Sequence, residues 1–177
     1  MMKNKSNNSI KILSEIISYF AIGSLLFLAI GLKDIDNYLD WLTFSAAMVF
    51  TGLLFGITMY FVLSYFNINI KTYKNSKGVG ILFPLTFAFT LLFFGLGSIV
   101  NESLIQKTEC KEYTIQNMGE SGSRQRAYYI FINNGEKTER LSFGKAFNNK
   151  HKIGENISLC IITGRIGFKY YKIQGKN

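Results

Sequence analysis

The sequence is short of almost everything that catalytic sites are built from. It holds one histidine and two cysteines in 177 residues. A triad or a histidine-containing metal site would have to form around His151, which stands in a run of asparagine and lysine (FNNKHK). No base–nucleophile partnership lies near it, and it reads as a solvated loop histidine. Residues 119–122 (GESG) place the second glycine one position too early for a nucleophile elbow. Gly95-Leu96-Gly97 is followed by no βαβ unit, so it is not a dinucleotide fingerprint; packing or flexibility is its expected role. The sequence calls for no cofactor and no metal, and the chain reads as non-enzymatic.

Charge is missing from long stretches as well. Nothing ionises between Lys77 and Glu102, or from Trp41 to Ile70, apart from tyrosine. About 20 apolar residues at 1.5 Å each cover a ~30 Å hydrocarbon core. Three runs meet that length, at about 12–32, 41–66 and 79–100, after a basic leader over 1–11 expected to be disordered. A chain this short could not wrap the third run on every side, so a transmembrane helix is the expectation. Its lone proline, Pro84, falls one turn inside, where a missing N–H costs little. Glu15, near the start of the first run, is tolerable only where it reaches the headgroups. The competing reading of that run is a cleaved signal peptide, but it is long for one and Glu15 is out of place there.

In the second run, Ser45, Val49, Gly52 and Gly56 fall at helical spacing and include a GxxxG. Such a stripe lets two helix backbones approach closely, either in a homo-oligomer or against a neighbouring helix of the same chain. Proton relays and ion-coupled transporters place several charges in the bilayer core, and this chain offers only Glu15.

The charges that are present give an orientation. Lys3, Lys5 and Lys11 precede the first run, and Lys71, Lys74 and Lys77 lie between the second and third without an acid. Short basic segments stay cytoplasmic, so both should be inside and the acidic link 33–40 (KDIDNYLD) outside. Three spans that begin inside finish outside. The expected location is an inner (plasma) membrane, multi-pass, with the C-terminal region extracytoplasmic.

Residues 101–177 are of another kind. Segments 107–117, 126–133, 136–143, 156–163 and 168–173 are rich in Tyr, Ile, Phe and Thr, with turn residues between them. Asn134-Gly135 is a hairpin signal, GRIG at 164–167 offers a tight turn, and 119–123 reads as a mobile loop. Residues 143–154 interrupt the strands with room for one helical turn. The expected fold is therefore three transmembrane helices followed by a five-stranded antiparallel sheet or OB-like barrel. Cys110 and Cys160 permit one intramolecular bridge. An extracytoplasmic compartment favours it, whereas a wrong strand order would leave two buried thiols.

This tail carries thirteen basic residues against seven glutamates. Arg124, Arg126, Arg140, Lys150 and Arg165, with Tyr128 and Tyr170, form the expected binding surface. A solvated basic surface around a tyrosine-rich core is the plainer reading. Outside the cytoplasm there is no nucleic acid to meet, so the partners expected are the lipid bilayer and a protein or envelope component. An accessory subunit of an envelope complex and an immunity-type protein both fit. The rival is a membrane-anchored sensor-effector whose cytoplasmic β domain binds a nucleotide signal while its helices perturb the membrane.

Overall fold

A computed structural model describes residues 2–33, 35–66, 80–122, 127–135 and 137–173. The lysines at 71, 74 and 77 and the arginines at 124 and 126 lie outside the described residues. The chain divides into two compact units, Met1–Leu32 with Ser45–Ile99, and Lys33–Phe44 with Val100–Asn177.

The first unit is helical. It takes in most of three helices, α1 (Met2–Lys33), α2 (Trp41–Tyr65) and α3 (Leu82–Ser103), whose ends at Lys33, 41–44 and 100–103 belong to the second unit. All three are long and apolar enough to cross a membrane. α1 runs back to Met2; extending an existing helix costs far less than nucleating one. Asp40 caps α2, accepting from the Thr43 hydroxyl at 2.6 Å. That bond, and the Thr43 amide after it, hold its carboxyl below the usual range. Pro84 stands third in α3, where its missing N–H is one of the helix's orphans. Hydroxyls within the spans turn back on carbonyls four residues earlier, as Thr51 does to Ala47 and Thr90 to Thr86, both at 2.8 Å. These hydroxyls are thereby satisfied within their own helix.

Close approach is made by glycines. A Cβ on Gly52 would sit 2.5 Å from Thr90 Cα, and one on Gly56 2.6 Å from Thr86 Cα. Gly95 faces the Phe27 backbone of α1, and Gly97 faces Met48 of α2. The GxxxG thus packs α2 against α3 of the same chain. Ser45 is half-buried, while Val49 is exposed and lies off the face, which continues through Met48, four residues before Gly52. Gly52→Ala is expected to destabilise this unit by about 1–2 kcal/mol, since backbone must shift to admit the methyl. Val49→Ala should change little, and unfolding in mixed micelles with increasing SDS compares them.

The second unit is a curled antiparallel sheet. It comprises β1 (Ile105–Ser121), β2 (Ala127–Asn133), β3 (Thr138–Ser142), a turn of helix α4 (Lys145–Asn148), β4 (Asn156–Gly164) and β5 (Lys169–Ile173). The strand order is β3-β2-β1-β4-β5, with β4 returning beside β1 as in a Greek key. β1 is longer than its sequence pattern implied and takes in Gly119, Glu120 and Ser121, expected in a loop. It pairs with β4 over residues 105–114 and with β2 over 115–121, with a register shift between Ile115 and Asn117. That irregularity lets one strand serve both halves and bends the sheet into a half-barrel. Ile115, Ile130, Ile132, Leu141, Leu159 and Tyr171 fill the concave side.

Residues 105–112 of β1 are exposed on both faces. Lys107, Glu109, Lys111 and Glu112 charge that free edge, which discourages strand addition.

Cys110 stands directly opposite Cys160 in the β1–β4 register, and the two form a disulfide closing 50 residues. Both point away from the Ile157–Leu159 side, toward the face that carries Ile162 and Tyr170.

The half-barrel would close by joining β3 to β5. The link between the first two helices enters that opening instead. Asn37 donates its side-chain amide to the Ser142 carbonyl at 3.0 Å and accepts from the Ser142 N–H at 2.8 Å. Leu39 N–H donates to the Lys169 carbonyl at 3.0 Å, and Tyr38 bridges to Tyr170. Arg140 holds Asp36 at 2.7 Å. The Tyr38 ring stacks on Phe44 at 4.4 Å, and Phe44 meets Phe168 edge-on. A short segment from the acidic link therefore serves as a sixth, irregular strand.

Candidate functional site

Where that link meets the ends of β3 and β5 the unit leaves a cleft of about 480 Å³. Lys33 and Asn37 line it from the link, Glu102 from the end of α3, Ser142–Gly144 from the exit of β3, and Tyr170–Ile173 from β5. The volume lies within the range of small-molecule sites.

Each wall has a local cause. Alternation along β5 turns Tyr171 to the core and Tyr170 and Lys172 to the other face, beside Ile162 and Cys160 respectively. Gly144 leaves β3 at φ 85, a conformation that glycine adopts freely, and so turns the chain into α4. Tyr38, which is buried, donates its hydroxyl to Glu102 Oε1 at 3.2 Å.

The tyrosines do not contribute charge. Burial, and then the charge of Glu102, raise the Tyr170 hydroxyl above its ordinary range. Burial pushes the Tyr171 hydroxyl up to about 12. The charged groups are therefore two ammonium groups and one carboxylate. Among the described residues neither Lys33 nor Lys172 is ion-paired. The cleft is thus a cation-rich recess with aromatic and aliphatic walls.

The residues expected to form a binding surface do not gather. Arg140 is engaged by Asp36 and lies 5.7 Å from the Tyr129 ring centre. Lys150 follows α4, Arg165 lies in the β4–β5 turn, and both are exposed. Tyr128 is half-buried on β2. Tyr170 belongs to the interior rather than the surface, because the link covers it. Lys33, Asn37, Glu102 and Lys172 were not singled out by the sequence, which carries no local signal that the link and β5 meet.

His151 is tied into its own loop. Its Nδ1 lies 2.7 Å from Glu155 Oε1 and its ring packs on Phe147. The bond from His151, and then the Lys152 amide, hold the Glu155 carboxyl below its usual range. Among the described residues no group of three metal-ligating side chains converges. Comparison with protein-family models, curated proteins and solved structures finds no match to this chain.

Proposed function

We propose that this chain is a multi-pass inner-membrane protein whose helices hold the β unit outside the cytoplasm as a non-enzymatic binding module. Its role would be that of an accessory subunit of an envelope complex or an immunity-type protein. The observation that carries the reading is the Cys110–Cys160 bridge. Disulfides persist in oxidising compartments and are rare where glutathione and thioredoxin keep thiols reduced. The lysines that precede the first apolar run and those between the second and third support the same orientation, and the cleft gives the unit a place to bind.

A phosphatase that is active only outside the cytoplasm tests the orientation. Fused after Asn177 it should be active, and fused after Lys74 it should be silent. The reverse pattern would remove the envelope reading and leave the cytoplasmic sensor-effector in its place.

A further inference from the structure

We infer that the cleft binds the phosphate of a membrane-lipid headgroup between the ammonium groups of Lys33 and Lys172. The inference rests on the cleft being the binding site of the reading above, but not on which side of the membrane it lies.

Chemistry and chain connectivity carry it. Two ammonium groups in one recess, neither ion-paired among the described residues, call for an anion, and a third charged group, Glu102, is already engaged by the Tyr38 hydroxyl. A phosphodiester carries one negative charge and several acceptor oxygens, matching two lysines set against one carboxylate. The cleft is larger than a phosphate alone requires. The remainder, walled by Phe143, Tyr170 and Ile173, suits the glycerol and the first methylenes of a lipid.

The choice of a lipid over a dissolved anion follows from where the lining residues fall in the chain. Lys33 directly follows Leu32 at the end of one apolar helix, and Glu102 stands three residues past Ile99 at the end of another. Residues in those positions lie at headgroup depth in any spanning helix. Lysine at such a site already favours lipid phosphate over water, since its stem lies along apolar surface while its ammonium reaches the polar layer.

The test uses the full chain in a neutral detergent, titrated by calorimetry with dioctanoyl phosphatidylglycerol, dioctanoylglycerol and inorganic phosphate. The wild type should bind the phospholipid, and the double variant Lys33→Gln/Lys172→Gln should bind it at least 10-fold more weakly. Lys33→Arg/Lys172→Arg should restore binding, and Lys150→Gln, which does not line the cleft, should not alter it. An unchanged melting midpoint and an intact disulfide in the glutamine variant would show that the fold survives. Equal binding by wild type and glutamine variant overturns the proposal. So does equal binding of the uncharged diacylglycerol. Inorganic phosphate binding as tightly as the phospholipid overturns the lipid as its source. The phosphatase fusions report orientation separately, so either result can fail without the other.

Discussion

Replacing Cys110 and Cys160 together by alanine is expected to lower the stability of the β unit by about 4 kcal/mol. The bridge closes 50 residues, and by loop-closure entropy a cross-link of that span removes about that much freedom from the unfolded chain. In a unit of this size the loss corresponds to a fall in melting midpoint on the order of 20 °C. Scanning calorimetry of the full chain in detergent, with and without reductant, checks it. Reductant should shift the wild type by a similar amount and leave the alanine variant where it is. A wild type insensitive to reductant, with two free thiols after unfolding, would mean that the bridge does not form, and the case for an extracytoplasmic unit would lose its main support.

The second large effect is expected at Asn37, which is 6% exposed. Asn37→Ala strips both partners from Ser142 at once, leaving an N–H and a C=O at the edge of β3 to find water or none. Each such group costs roughly 1–3 kcal/mol when it stays dry, so a loss of about 3 kcal/mol is expected. Asn37→Asp keeps an acceptor for the Ser142 N–H but sets a carboxylate against the Ser142 carbonyl. It should be strongly destabilised at neutral pH and should recover as acid protonates the carboxyl, which then donates where the amide did. Hydrogen exchange at the Ser142 amide, followed against pH, distinguishes this from a general loosening of the unit.

The contrast between these two sites shows what the sequence conveys. The strands were legible because β-branched and aromatic residues repeat along them and glycine or asparagine separates them. The apolar helices were legible because charge is excluded from the second and third over more than twenty residues and from the first between Glu15 and Lys33. Asn37 was not legible. KDIDNYLD has no periodicity, and its partner at Ser142 lies 105 residues away. The meaning of that asparagine exists only once the sheet has curled and left a gap of the right width. The cleft is hidden for the same reason, since Lys33 and Lys172 come from opposite ends of the chain. Tyr170 was misplaced because a strand pattern distinguishes two faces of β5 but cannot show that the outer face is covered by a distant link. The cysteines fall between these cases. Their number allowed a single pairing, while the register that sets Cys110 against Cys160 depends on how β4 returns to β1.

The inserted link also imposes an order of events on biosynthesis. Asn37 is made 105 residues before Ser142, which at 5–20 residues per second is a delay of about 5–20 s. During that interval the segment that will seal the barrel has left the ribosome and has nothing to seal. Closure must therefore be one of the last steps of maturation, taken after the final strand has emerged. A fragment beginning at residue 101 would contain every strand of the sheet and still present an open seam between β3 and β5. Such a fragment should be prone to stick to other chains through that seam, and adding the peptide 33–44 in trans should be what cures it.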